Sequence, residues 1–319
     1  LFREQLHGAL WLRAQAVASF VVLAVGFGFA GRFTSFAEAQ LYADEIVYTE
    51  TTPYQRIVVT RWKDDLRLFL NNNLQFSSRD EYRYHEALVH PGLATLPGAR
   101  RILVLGGGDG LAVREILKYP QIESVTLVDL DPGMTRLFST AAPLRSLNAD
   151  ALLSPKVRVI NEDALQWLEQ NDERFDFVVV DFPDPSSFAI GKLYSAAFYR
   201  QLEKHLTADA LAVIQSTSPL YARQSFWCIA RTLEDAGFVA TPYHALVPSF
   251  GEWGFVLAGR RAYRAPAGYP VETSFLTVEV TPTLFQFPKD MARVDAEVNR
   301  LNNQVLVRYF EHEWRQVIR

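Results

Sequence analysis

Between residues 102 and 259 the chain repeats one pattern: a short, nearly unbroken apolar run, then a stretch of helical character. The runs are ILVL (102–105), VTLV (125–128), VRVI (157–160), FVVVD (177–181), LAVIQ (211–215) and GFVLAG (254–259). Helices are expected between them, near 110–118, 133–142, 163–170, 195–205 and 221–236. Runs that are apolar throughout belong to strands covered on both faces, and parallel strands need crossover helices to cover them. The pattern therefore predicts an α/β, Rossmann-like fold with a mostly parallel, doubly wound sheet over residues 79–262.

Other elements flank this core. Residues 46–76 carry β-branched and aromatic runs broken by Thr-Pro, Lys-Asp-Asp and Asn-Asn-Asn, which are turn signals. They predict a small antiparallel β domain at 41–78, followed by a helix over 79–94. Residues 263–319 form a C-terminal extension with Pro266, Pro270, Pro282 and Pro288, closing in a helix from about 290 to 316. Residues 1–40 hold an apolar helix. Its run AQAVASFVVLAVGFGFAG, between Arg13 and Arg32, has 18 residues without a charge, near the lower limit of the ~20 residues that cross a bilayer. The chain opens at Leu1 without methionine, and the run is expected to be the last span of a larger membrane region.

Charge excludes one function class. The net charge is −4 and the basic residues form no long run, so no nucleic-acid backbone is an expected partner. The single cysteine, Cys228, and six histidines outside any metal-ligand spacing predict no metal.

The chemistry starts at LGGGDG (105–110). A dinucleotide turn reads G-x-G-x-x-G and holds pyrophosphate on backbone amides. Here Gly106, Gly108 and Gly110 are spaced G-x-G-x-G, and Asp109 puts a negative charge inside the turn. A nucleoside ligand with a positive group and no phosphate suits it, as in S-adenosylmethionine and its relatives. Asp129 ends the second strand, where an acid binds ribose hydroxyls in open α/β folds. Asp163 follows the third strand, placed to accept from an adenine amino group, with Ala164 beside the ring. A second acid pair, Asp181 and Asp184 in DFPDP, follows the fourth strand. Such acids suit a polyamine, whose amine, with a pKa near ~10.4, must lose a proton before it can attack.

In combination, TPYQRIVV (52–59), LFLNNNLQFSSRDEYRYHEALVHP (68–91), LGGGDG, VDLD (128–131), EDA (162–164), DFPDP and LYSAAFY (193–199) resemble the polyamine aminopropyltransferases, or spermidine synthases. The likeness runs from about Tyr54 to Gly259, and the apolar segment resembles the bacterial branch with an N-terminal membrane region. It implies transfer of the aminopropyl group of decarboxylated S-adenosylmethionine to an amine acceptor, putrescine first, with methylthioadenosine released and no metal. By this resemblance Gln55 contacts the nucleoside, Asp109 the aminopropyl ammonium or polyamine, Asp129 the ribose, and Asp163 with Ala164 the adenine. Gly106 and Gly108 shape the turn. Tyr84 and His85 line the polyamine channel, Asp181 accepts the proton, and Asp184 anchors the acceptor. The resemblance also implies homo-oligomers and a bacterial inner-membrane protein with its catalytic domain facing the cytoplasm.

The chain departs from the family in two places. The usual tyrosine before PSG is absent from LVPSFGEWGF, where Val247, Glu252 and Trp253 stand, and Phe188 lies about where a cofactor-touching proline often does. Glu252 is expected to offer a further cation contact. Two rivals remain: a methyltransferase using ordinary S-adenosylmethionine, and a non-catalytic membrane-tethered polyamine or nucleoside sensor.

Overall fold

The computed structural model describes residues 9–317. A first helix, α1 (Ala9–Leu41), precedes a four-stranded antiparallel meander of β1 (Glu45–Thr51), β2 (Arg56–Trp62), β3 (Asp65–Leu70) and β4 (Asn73–Ser77). Asn71 and Asn72 turn β3 into β4 with φ of 49° and 68°. A two-residue hairpin needs that left-handed backbone, which asparagine tolerates better than most residues.

Helix α2 (Glu81–Leu93) leads into the larger sheet. Its strands are β5 (Arg101–Gly106), β6 (Ser124–Asp129), β7 (Val157–Asn161), β8 (Phe175–Asp181), β9 (Leu206–Gln215), β10 (Val239–Val247) and β11 (Gly251–Gly259), in the order β10-β11-β9-β8-β5-β6-β7. Neighbours from β9 to β7 are parallel, and β10 and β11 run antiparallel. Helices α3 (Leu111–Leu117), α4 (Pro132–Thr140), α5 (Ala142–Leu147), α6 (Ala164–Gln170), α7 (Phe188–Gly191), α8 (Ala196–Lys204) and α9 (Arg223–Asp235) fill the connections. Short α10 (Thr281–Leu284) and the terminal α11 (Val305–Val317) complete the chain.

The apolar strands bury both faces, as their composition requires. Val104, Phe177 and Val213 face one core with Leu88 of α2 and Val113 of α3. Leu105, Val178 and Ile214 face another with Phe198 of α8 and Ile229 of α9. Strands β6 and β8 flank β5 on opposite sides, so the carboxyl edge of β5 is the point where the connections diverge. Ligands of open α/β sheets bind at such a point.

Three observations amend the expectations. Strand β10 is not among the expected runs; it contains Pro242, which a sheet edge tolerates because a missing N–H there need cost no ladder bond. The terminal helix starts at Val305, not near 290. Residues 292–299 take an irregular path in which Asn299 Nδ2 donates to the carbonyls of Gly191 and Tyr194, while its backbone N–H donates to Thr232 Oγ1. Those bonds replace helical ones. Finally, the apolar run 14–31 lies within α1, and its side chains are exposed through Phe27; the part beyond lies outside the described side chains. Among the described residues, no helix is long and apolar enough to cross a membrane.

Candidate active site

The glycine turn closes against carboxylates. Gly106 has φ +81°, and a Cβ there would lie 2.2 Å from the Asp181 carbonyl oxygen. A Cβ on Gly108 would come within 2.7 Å of the Asp129 carboxylate. Glycine at both positions lets the β5 turn lie directly on the ends of β8 and β6.

Asp129 accepts from the backbone N–H groups of Gly108 (3.0 Å) and Asp131 (2.8 Å). Burial pushes its pKa up to about 6, against those two bonds. Part of its surface remains exposed, leaving lone pairs free to accept further hydrogen bonds. Gln55 lies next door: its Nε2 donates to Asp131 Oδ2 at 2.8 Å, and Thr52 Oγ1 donates to the same oxygen at 2.8 Å. Asp131 in turn caps α4 by accepting from Gly133 N at 2.9 Å.

On the other side of the turn stands a second cluster of acids. Tyr84 of α2 donates its hydroxyl to Asp181 Oδ1 at 2.5 Å. Burial pushes the Asp181 carboxyl up to about 6, with His85 drawing it down and Asp109 pushing it up. Asp109 is itself raised by burial, against nearby His85 and the Leu111 N–H it accepts at 2.9 Å. His85 is buried, and its Nδ1 bonds Glu81 Oε2 at 2.7 Å. Burial opposes a charged imidazole, but Glu81 prevails and raises its pKa. Arg114 holds Glu81 from behind with two bonds of 2.8 and 2.9 Å. Asp184, also pushed by burial up to about 6, accepts from Gln215 Nε2 at 3.2 Å. The same Gln215 accepts from the Tyr194 hydroxyl at 3.1 Å.

The structure thus brings Tyr84, His85, Asp109 and Asp181 into one cluster, with Asp129 across the turn and Asp184 beyond β8. Two residues carry bonds within the protein that their expected roles did not include. Asp163 caps α6 by accepting from Leu165 N and Gln166 N, and its second oxygen takes Lys192 Nζ at 2.6 Å. Ala164 is the buried first residue of that helix. Glu252 is turned away. Trp253 faces Tyr84, and the preceding residue on a strand projects to the other face, where Glu252 bonds His244 Nδ1 at 2.8 Å. Glu81, Arg114, Gln215 and Lys192 join the site only through folding. Of these, Glu81 alone had a readable signal, standing four residues before His85 on one helix face. Among the described residues, no group of three or more His, Cys, Asp or Glu could hold a metal.

Sheet order, phosphate-averse glycine turn and strand-end acids define a Rossmann-like fold of the S-adenosylmethionine-dependent transferase type. Residues 81–263 match the model of the spermine/spermidine synthase domain. The chain belongs to that family. It is 58% identical over 317 residues to polyamine aminopropyltransferase 2 of Ralstonia nicotianae, spanning 99% of this chain and 62% of that protein. It is 53% identical over 307 residues to the polyamine aminopropyltransferase of Leptospira interrogans, spanning 96% and 62%. The chain therefore spans less than two thirds of the length of these relatives. A crystal structure of spermidine synthase in complex with the transition state analogue AdoDATO aligns with TM-score 0.70 at 21% identity, over 77% of this chain and 88% of that one. At that identity the likeness speaks for the fold.

Proposed function

We propose that this protein transfers the aminopropyl group of decarboxylated S-adenosylmethionine to a diamine, putrescine in the first instance, releasing methylthioadenosine. The observation that carries the reading is the Tyr84–Asp181 hydrogen bond, set beside Asp109 at the mouth of a glycine turn that disfavours phosphate. Both reactants are cations, and half-buried carboxylates stabilise cations in a medium of reduced dielectric. Asp129 would hold the ribose. Asp109 would face the aminopropyl ammonium, where the carboxylate of ordinary S-adenosylmethionine would be repelled.

Asp181 accepts the proton that the acceptor nitrogen must shed. The nitrogen lone pair then forms the new C–N bond, the C–S bond breaks, and its electron pair stays on sulfur, which leaves neutral. Positive charge moves from sulfur to nitrogen, towards the acidic cluster, so the carboxylates beside Asp181 stabilise the transition state more than the ground state. Asp184 would hold the acceptor's distal ammonium.

The pKa of Asp181 fixes the sign of the pH dependence. Below about 6 it is protonated and cannot take a proton; above about 6 it is a carboxylate. kcat/KM should therefore rise through about pH 6, while the kcat limb lies lower because a bound cation favours the carboxylate. Methylthioadenosine release, followed with putrescine between about pH 5 and 7, tests both activity and sign. A flat profile, or no release with any diamine, counts against the proposal.

We also place the chain at the bacterial inner membrane, with the catalytic domain facing the cytoplasm. The support is α1, where Trp11, Phe20 and Phe27 are 66%, 73% and 87% exposed on an apolar helix. The chain should sediment with membranes, and its truncation to residues 42–319 should not. Equal behaviour of the two would refute the placement.

A further inference from the structure

His85 sets a cation before the acids of the site, and its charge is governed from behind by residues that the reaction above does not use. Its Nδ1 lies 2.8 Å from the Glu81 carbonyl oxygen and 2.7 Å from Glu81 Oε2. Both partners only accept, so Nδ1 carries a proton, and Nε2 is directed away from the α2 backbone. Glu81 is gripped in turn. Arg114 donates to both of its oxygens, at 2.8 and 2.9 Å, and is itself fixed by the Leu147 carbonyl (2.8 Å) and Glu115 Oε1 (2.9 Å). The side chains of Glu81 and His85 are each 4% exposed and that of Arg114 15%, so water screens this chain of charges little.

The charged groups facing the imidazole are Glu81 on its own helix, Asp109 in the glycine turn, Arg114 on α3 and Asp181 at the end of β8. Burial alone would favour a neutral ring, and Glu81 restores its charge. Burial likewise pushes Asp181 up, and His85 draws it down. Neighbouring buried carboxylates resist ionising together unless a cation stands near them. Resting on the aminopropyl transfer reading, we infer that Glu81 and Arg114 are positioning residues that act through His85: Arg114 fixes Glu81, Glu81 fixes an Nδ1-protonated imidazolium, and the imidazolium keeps Asp181 ionised before the amine arrives. Neither Glu81 nor Arg114 needs to touch a reactant.

The test follows methylthioadenosine release with putrescine across pH in the unaltered chain and in Glu81→Gln. Without the carboxylate the buried imidazole becomes neutral, Asp181 loses its cation, and its carboxyl titrates higher. A rise of about one pH unit, at the small end of what a neighbouring charge gives, would lower kcat/KM about fivefold at pH 6 and little at pH 8. A merely structural role would lower both alike. In a His85→Gln chain, which already lacks the imidazole, adding Glu81→Gln should move the acid limb no further. An unmoved limb in folded Glu81→Gln, or a further shift in the double variant, would overturn the inference. If Glu81→Gln does not fold, Arg114→Met decides: relieved of the guanidinium, Glu81 should raise the His85 titration followed by NMR, and a titration unmoved or lowered refutes the linkage. If the unaltered chain releases no methylthioadenosine, the reaction assigned above fails. The linkage is then judged by the same NMR titration in Glu81→Gln, where a lowered His85 pKa supports it and an unmoved one refutes it.

Discussion

Asp181→Asn is expected to lower kcat by about a thousandfold, within the range a general base contributes, while binding of the nucleoside co-substrate persists. The change is nearly isosteric, and the Tyr84 hydroxyl that now donates to Asp181 Oδ1 can donate to the amide oxygen instead. Folding should not suffer. The carboxylate is pushed up to about 6 by burial, with Asp109 adding to the rise, so its removal relieves a repulsion at neutral pH. The acid limb of kcat should vanish from whatever activity remains, while kcat/KM keeps a limb near pH 6 from Asp129 and Asp184. Single-turnover release of methylthioadenosine, with calorimetry of the co-substrate, separates the outcomes. Undiminished release would remove Asp181 from the chemistry. Full binding without turnover in the unaltered chain would favour the sensor reading.

The largest expected loss of stability comes from Glu86→Ala. Glu86 is 1% exposed, and its carboxylate accepts three consecutive backbone N–H groups, from Ser274 (2.6 Å), Phe275 (2.9 Å) and Leu276 (3.0 Å). This one side chain ties the C-terminal extension to α2. Alanine leaves three donors without an acceptor, at a cost on the order of 3–5 kcal/mol. That corresponds to a fall in melting temperature of roughly 5–7 °C for a chain of this size. Proteolysis should reach residues 264–280 first. Glu86→Gln, which keeps an acceptor oxygen, should lose less. Equal melting of the alanine variant and the unaltered chain would show that the extension is held by its apolar contacts alone.

Much of this architecture was legible in the residues because burial on both faces writes itself into composition. The runs at 102–105, 125–128 and 177–181 could hardly have been anything but covered strands, and each of β5, β6 and β8 carries one of them. The strand-end acids were legible for the same reason: once the strands are placed, Asp129 and Asp181 must sit at their carboxyl ends. Other features depend on distance in space. Arg114 bonds Glu81 across 33 positions of sequence, and no local pattern announces such a pair. Strand β10 is not among the expected runs: its Pro242 and mixed polarity suit a sheet edge, and edge position is set by the fold and not by the local residues. Glu252 looked like a cation contact by its place in LVPSFGEWGF, the stretch that matches the family's polyamine-site lining, and strand alternation sends it to the opposite face. For Asp163, sequence could count the acceptor oxygens but not the donors, Leu165 N, Gln166 N and Lys192 Nζ, that reach them.

Asp131 has a consequence for how the pocket can breathe. It is buried, and it binds Thr52 and Gln55 from the β1–β2 connection while its own N–H orients Asp129. Parting the meander from the carboxyl end of β6 would break two hydrogen bonds to a buried carboxylate, roughly 3 kcal/mol or more. The meander and that strand end therefore travel as one stiff piece, and reactants enter and leave without a hinge at this seam.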